Sequence, residues 1–259
     1  MNKSVKRTVY FFLLAFGVSW LFWIGLYRSG MLSERLALLL GTWGPTTAAL
    51  VVTAVDEGRK GLRDLFKKLL IWRVHSGWYF FVLFAAPIVV AIALIMYIGF
   101  GGELDQANDP SQWYLVFPGL AQIFFLSVLG EELGWRGYAL PQLQRRFGLL
   151  WASLIIGILW GVWHIPLWWM ESNFHSQIPF YLFLLENIAL SVVITWVYTN
   201  TKGSILLVSL FHAASNLTIG VAPLLPEYTG GSLIPLYISL GILCIGAGLI
   251  SVRFVRAPV

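Results

Sequence analysis

The sequence predicts an all-α, polytopic membrane protein with about eight transmembrane helices. Of its 259 residues, 58% are hydrophobic and 11% are charged, and the mean hydropathy is +0.78, which is far more apolar than a soluble domain. Apolar runs long enough to cross a bilayer recur from one end of the chain to the other. Because helices satisfy their own backbone hydrogen bonds in lipid, we expect one integral-membrane domain over residues 1–259.

The apolar runs are each about 20 residues long, which corresponds to about 30 Å of helix. The first run is too long for the core of a signal peptide and lacks a small-residue cleavage site, so we interpret it as a retained span. A lone Cys244 in the last run excludes a disulfide framework and a cysteine metal cluster. In order, the predicted spans cover residues 9–27, 36–55, 77–99, 113–131, 149–170, 178–199, 203–221 and 232–254.

The distribution of Lys and Arg predicts the orientation. If the N-terminus is cytoplasmic, only Arg28 and Arg35 of the 17 basic residues fall outside. Since cytoplasmic loops are enriched in Lys and Arg, we predict that both termini are cytoplasmic in a multi-pass protein of a bacterial plasma membrane. The net charge of +5 is thereby explained by topology, so the expected partners are the lipid bilayer and a membrane-associated substrate rather than nucleic acid.

The segment at 59–72 has the pattern of an amphipathic helix on the membrane surface. Leu62, Leu65, Phe66 and Leu69 recur at helical intervals with basic residues between them, which favours contact with an anionic bilayer surface. A solvated charged connector is the alternative interpretation. The tryptophans of the fifth span, Trp160 among them, are interpreted as packing or interfacial residues.

Ionisable groups inside the spans are few, and such groups are costly in lipid and usually functional. All four Asp residues lie at span ends or in loops, which argues against an aspartyl protease, and neither a His-Glu-x-x-His nor a Gly-x-Ser-x-Gly motif occurs. The candidates that remain are Glu131, Glu132, Glu186, His164 and His212, with Arg136 close by.

Three of these candidates are predicted to lie at one depth. Glu131 is 16 residues before Phe147 and His164 is 16 residues after Gly148, so an antiparallel hairpin that turns there brings them level. His212 follows Gly203 by nine residues, about 14 Å along a helix. Each residue alone is explained equally well by packing or a helix-to-helix hydrogen bond, but their shared depth favours a functional site.

Spacing within the helices assigns partners. His212 and Asn216 are four residues apart and therefore share a helical face. Glu132 and Arg136 have the same spacing and can neutralise each other. Glu131 is rotated by about 100° from Glu132 and is left without that cation. A carboxylate in this position is suited to act as a general base for water.

These motifs resemble those of a known family. Residues Glu131–Arg136 resemble its Glu-Glu-x-x-x-Arg motif, Trp160–His164 its aromatic-x-x-x-His motif, and His212–Asn216 its His-x-x-x-Asn motif. The family is that of the CAAX protease and bacteriocin-processing (CPBP, or Abi) intramembrane proteases, related to the Ras-converting prenyl-protein endopeptidase. The resemblance extends over about 113–221, the motif-bearing catalytic region. It implies eight helices around a large cavity.

The resemblance also implies roles for the site residues. Glu131 with His164 activates water, His212 with Asn216 stabilises the oxyanion, and the pair Glu132 and Arg136 supports the site. No cofactor is predicted for this mechanism. A zinc site made by Glu131, His164 and His212 remains open, because two His and one carboxylate can hold zinc with a water.

The predicted function is therefore an intramembrane endopeptidase that hydrolyses a membrane-associated peptide or protein. Two alternatives remain beside it: the zinc-dependent form of the same protease, and a non-proteolytic membrane protein that confers self-immunity to a bacteriocin. The role of Glu186, in the sixth span, is left unassigned.

Overall fold

The structure is a computed structural model that describes residues 3–105, 114–170 and 174–256, and within these ranges it contains helices and no strand. The α-helices are α1 (Lys3–Trp20), α2 (Glu34–Thr42), α3 (Gly44–Lys67), α4 (Ser76–Gly99), α5 (Val116–Ile123), α6 (Leu129–Glu132), α7 (Leu140–Trp163), α8 (Phe180–Asn200), α9 (Ile205–Val221) and α10 (Ile234–Arg256). Stretches of π-helix cover Leu21–Leu26, Phe124–Val128 and Leu133–Ala139, and 3₁₀ turns cover Lys68–Leu70, Ile165–Trp169, Phe174–Gln177 and Pro226–Tyr228.

Seven helical stretches in the described residues are long and apolar enough to cross a membrane. One of them, Val116–Trp169, has 54 residues, about 80 Å of helix and more than twice the thickness of the hydrocarbon core. Gly148 interrupts it with φ 76° and ψ 172°, a conformation that glycine adopts without strain. The stretch is therefore two spans joined by a reversal, and the prediction of an all-α protein with about eight spans is confirmed.

Two predicted spans are less regular than expected. The span predicted at 36–55 is split between α2 and α3 at Trp43, because Pro45 at the start of α3 has no backbone N–H to donate. The span predicted at 149–170 leaves the α-helix after Trp163 and ends in a 3₁₀ turn that contains Pro166. Residue 113, the first of the span predicted at 113–131, lies outside the described residues, and the helix there begins at Val116.

The segment predicted as an interfacial helix at 59–72 is the end of α3 with the 3₁₀ turn after it. Gly58, with φ 59°, kinks α3 and separates this segment from the span before it. Phe66, Leu70 and Trp72 in the segment are exposed. These exposed apolar side chains are consistent with a helix that lies on a membrane surface.

Loops that are predicted on the same side of the membrane contact each other. Lys68 Nζ donates to the carbonyl of Gly137 at 2.5 Å, and Ser204 Oγ donates to the carbonyl of Ile71 at 2.5 Å. At the opposite end, the backbone N–H of Asp105 donates to the carbonyl of Tyr228 at 2.9 Å. The relative sidedness of the loops thus agrees with the charge pattern, whereas the cytoplasmic location of the termini stays a prediction.

Glycines allow the helices that carry the candidate residues to approach their neighbours closely. A Cβ atom on Gly134 would lie 2.4 Å from the carbonyl carbon of Pro45 at the start of α3. A Cβ atom on Gly157 in α7 would lie 2.7 Å from Cα of Ile188 in α8. Small residues at helix contacts are typical of membrane proteins, where close packing replaces the hydrophobic effect.

Candidate active site

The two adjacent glutamates lie in a short α-helical segment between two π-helical stretches. Helix α6, Leu129–Glu132, follows the π-helix at Phe124–Val128 and precedes the one at Leu133–Ala139. Such wide turns are frequent at functional sites because they change the direction of successive side chains. Glu131 and Glu132 are both buried, and they contact different partners.

Glu132 is the centre of a buried ionic cluster. Its Oε1 accepts a hydrogen bond from Arg136 at 2.8 Å, and it lies 2.8 Å from Nδ1 of His212 in α9. The side chains of Glu132 and Arg136 are 0% exposed. The spacing of Glu132 and Arg136 predicted their pairing, but the contact with His212, 80 positions later, was not predicted. A buried guanidinium requires such an anionic partner.

Glu131 has a different environment. Its Oε2 accepts a hydrogen bond from the indole N–H of Trp160 at 2.7 Å. None of the ion pairs in the described residues involves Glu131, and its Oε1 accepts no hydrogen bond from them. Glu131 borders the large cavity described below. One oxygen is therefore held by the protein, and the other is available to water or substrate.

His164 follows the last residue of α7, and its ring is held by the helix before it. Nδ1 lies 2.8 Å from the backbone carbonyl oxygen of Trp160. Since a carbonyl oxygen only accepts, Nδ1 carries the proton and Nε2 of the neutral ring is an acceptor. The His164 ring also makes edge-to-face contacts with two aromatic rings. Its centroid lies 4.6 Å from that of Trp163 and 5.1 Å from that of Phe183.

His212 and Asn216 lie on one face of α9, one helical turn apart. Nδ1 of His212 faces the carboxylate of Glu132, so Nδ1 is the protonated nitrogen of the neutral ring. Nε2 then accepts from the side-chain amide of Asn216, whose nitrogen is 3.2 Å away. An amide nitrogen has two N–H groups, so Asn216 keeps one donor for another acceptor.

Trp160 connects these groups to each other. Besides its hydrogen bond to Glu131, the Trp160 ring packs against the guanidinium of Arg136, whose Cζ lies 4.6 Å from the ring centroid. The same centroid lies 5.0 Å from that of the His212 ring and 5.9 Å from that of the His164 ring. The sequence analysis interpreted Trp160 as a packing or interfacial residue. Its place four positions before His164, at the aromatic position of the motif, was the signal that it shares the site.

A cavity of about 970 Å³ opens beside these side chains. Its wall is mostly apolar, with residues from α4, α8, α9 and α10 such as Val89, Leu182, Ile219 and Leu243. The structure brings four of the predicted site residues to this cavity, whereas Glu132 and Arg136 lie behind them. The four that line it are Glu131, His164, His212 and Asn216.

His175 also belongs to this region, although its position beside a predicted span had indicated an interfacial residue. It lies in the 3₁₀ turn Phe174–Gln177, is buried, and stacks on the ring of His164 with centroids 5.6 Å apart and planes at 23°. Burial, which disfavours the charged ring, lowers the pKa of His175 well below its usual value. A neutral second imidazole therefore covers one face of His164.

The donor groups do not form a metal-binding set in this arrangement. In the described residues, no three His, Cys, Asp or Glu side chains are grouped so that they can hold one ion. Of the three residues considered for zinc, Glu131 accepts from Trp160 through Oε2 and His164 uses Nδ1 for a carbonyl oxygen. His212 uses Nδ1 for Glu132 and Nε2 for the amide of Asn216. His212 therefore has no ring nitrogen left for another partner, whereas Nε2 of His164 and Oε1 of Glu131 are bound by none of the described residues.

Comparisons with known proteins identify proteins that are similar to this chain. Residues 112–218 match the family described as "Type II CAAX prenyl endopeptidase Rce1-like". A protein named "CAAX prenyl protease 2" from Methanococcus maripaludis is 29% identical over 222 residues, which cover 80% of this chain and 82% of that protein. The matched family region contains Glu131, His164, His212 and Asn216.

Proposed function

We propose that this chain is an intramembrane endopeptidase, since its residues 112–218 match the Rce1-like family of CAAX prenyl endopeptidases and a named prenyl protease is 29% identical to it. It hydrolyses a peptide bond in a membrane-associated peptide or protein. The observation that carries the proposal is that polar side chains from three helical segments line one apolar cavity around a shared tryptophan: Glu131, His164, His212 and Asn216.

Glu131 and His164 activate the attacking water. Oε1 of Glu131 has no hydrogen-bond donor among the described residues, and Nε2 of His164 is left as an acceptor because Nδ1 is bound to the Trp160 carbonyl oxygen. Two acceptors beside the cavity can orient a water and take its proton as it attacks the carbonyl carbon. The same proton then passes to the leaving nitrogen when the carbon–nitrogen bond breaks, so the site returns to its starting state.

Asn216, positioned by His212, stabilises the oxyanion of the tetrahedral intermediate. One N–H of the Asn216 amide is directed at Nε2 of His212, 3.2 Å away, which leaves the second N–H for the developing charge. His212 is in turn held by Glu132, which is itself paired with Arg136. A donor fixed in advance in a dry site stabilises negative charge strongly, because no reorganisation is needed during the reaction.

We propose that this mechanism requires no metal. Two features support the metal-free form: both ring nitrogens of His212 are already bound to protein partners, and the described residues contain no three-residue donor group. The test is the metal content of the purified protein together with its activity in a strong chelator. Retained zinc and loss of activity on chelation would overturn the metal-free form while leaving the protease assignment intact.

The proposed substrate is a peptide with a lipid-modified residue near its cleavage site. The relative from Methanococcus maripaludis is named a prenyl protease, and the wall of the cavity is mostly apolar. An apolar wall suits a hydrocarbon chain, whereas the polar side chains on one side suit the peptide. The proposed location is a bacterial plasma membrane, with the basic loops on the cytoplasmic side.

The decisive experiment measures cleavage of quenched reporter peptides, prenylated and unmodified, by the protein in lipid vesicles. Glu131→Ala and His164→Ala are expected to lower kcat at least about 100-fold, because each removes a proton acceptor. Glu57→Ala and His75→Ala, at exposed positions, are the matched controls and should cleave normally. Normal cleavage by both site variants would refute the proposed mechanism.

A further inference from the structure

Glu186 is an acid inside a span that the proposed mechanism does not use. It lies in α8, borders the same cavity as Glu131, and is neither hydrogen-bonded nor ion-paired in the part of the chain that the structure describes. A carboxylate at such a position is costly in a membrane and calls for a functional reason. Asn187, the next residue, instead donates to the carbonyl of Phe183 within its own helix.

The depth of Glu186 matches that of the catalytic candidates. Gly157 in α7 lies against Asn187 and Ile188, and Gly161 lies against Leu184, since a Cβ on either glycine would be 2.7 Å from an α8 atom. Trp160, which binds Glu131, lies between these two glycines in α7. The stretch of α8 that contains Glu186 is therefore level with the indole that holds the proposed general base.

The residues beside Glu186 on α8 are apolar, and no cation in the described part of the chain is paired with it. Leu182 and Leu190, one turn before and after it on α8, line the cavity with it. The basic side chains that border the cavity are Arg35, near the start of α2, and Arg253, near the end of α10. Neither of them forms an ion pair with Glu186. The carboxylate is thus presented to whatever occupies the cavity.

We propose that Glu186 is a substrate-binding residue that accepts a hydrogen bond from an N–H group of the peptide. The proposal rests on the proposed protease function. A peptide that enters an apolar cavity loses water from its backbone N–H groups, and each needs a new acceptor. The donor is either an amide N–H of the intact substrate or the ammonium group that hydrolysis creates on the leaving fragment.

The experiment compares Glu186→Leu, which removes the acceptor, with Glu186→Gln, which keeps a carbonyl oxygen but no charge. Steady-state cleavage gives KM and kcat, and inhibition by the leaving fragment is measured with a free and with an acetylated N-terminus. Glu57→Leu is the matched control, because Glu57 is an exposed carboxylate that does not line the cavity.

If the donor is a substrate amide, Glu186→Leu raises KM about 10- to 100-fold with little change in kcat, and Glu186→Gln restores most of the affinity. If the donor is the product ammonium, both variants weaken inhibition by the free fragment by a similar factor, while the acetylated fragment is unaffected. The proposal would be overturned if the Glu186→Leu protein had the KM, the kcat and the product inhibition of the wild type.

Binding without turnover separates this proposal from the protease assignment. The affinity of the Glu131→Ala protein for intact reporter peptide is measured with and without Glu186→Leu, so that no cleavage is required. Weaker binding in the double variant supports the role of Glu186 even if the catalytic roles are assigned wrongly. If Glu186→Leu fails to fold, Glu186→Met serves as the variant without an oxygen acceptor. Peptide and product binding by Glu186→Met equal to that of the parent protein would overturn the proposal.

Discussion

The wall of the cavity that carries the candidate catalytic residues differs sharply from the wall that α10 provides. Within the membrane-spanning stretch that contains α9, 56% of the residues in the most apolar 18-residue segment are buried. In the corresponding segment of α10, 6% are buried. Gly134 beside the glutamates has no room for a methyl group, whereas Gly246 in α10 has no atom within 4 Å of the position of an added Cβ.

This difference follows from what each wall must hold. A buried carboxylate, guanidinium and imidazole are stable only if their partners are held at hydrogen-bond distance, and this requires helices in close contact. The wall made by α10 presents apolar side chains to the cavity and to lipid, and such side chains need no exact partner. We therefore expect substitutions in the catalytic wall to have large effects and matched substitutions in α10 to have small ones.

The largest effect is expected for Glu132→Ala. This change leaves the 0% exposed guanidinium of Arg136 without its anion and removes the carboxylate that holds His212. We expect the protein to lose about 3–5 kcal/mol of stability, as well as activity, in thermal unfolding and cleavage assays. Glu131→Gln is the contrasting variant, since it should abolish cleavage with little loss of stability. Unchanged unfolding of Glu132→Ala would show that the two walls do not differ as described.

An intermediate effect is expected for Trp160→Phe. The phenylalanine keeps an aromatic ring but lacks the N–H that donates to Glu131 at 2.7 Å. Because a hydrogen bond to a charged group is lost, kcat/KM should fall about 10- to 100-fold. Trp151→Phe is the matched control, since Trp151 lies in the same helix and is 62% exposed. Equal activity of both variants would mean that the indole N–H does not position the general base.

A smaller effect is expected for Gly134→Ala compared with Gly246→Ala. The added methyl group at Gly134 would be 2.4 Å from Pro45, so α3 and the segment that carries the glutamates must separate. Overpacking of this kind costs about 1–3 kcal/mol, whereas Gly246→Ala should change stability by less than about 0.5 kcal/mol. Thermal unfolding in the same detergent measures both. A neutral Gly134→Ala would contradict the close packing inferred for this wall.

The sequence by itself determined the number of spans and the depth of the polar residues. Hydropathy over about 20 residues is a local property, and position along a helix converts directly into depth at 1.5 Å per residue. The turn at Gly148 and the predicted shared level of Glu131 and His164 followed from this arithmetic. The spacing of Glu132 and Arg136 predicted their ion pair for the same reason.

Only the tertiary structure decided which atoms meet at that depth. The contact of His212 with Glu132, the indole of Trp160 turned toward Glu131, and the stacking of His175 on His164 all join different helical segments. Depth depends on distance along one helix, but these contacts depend on the rotation and lateral position of several helices. Both are set by side-chain packing between helices, which the pattern of a single segment does not encode.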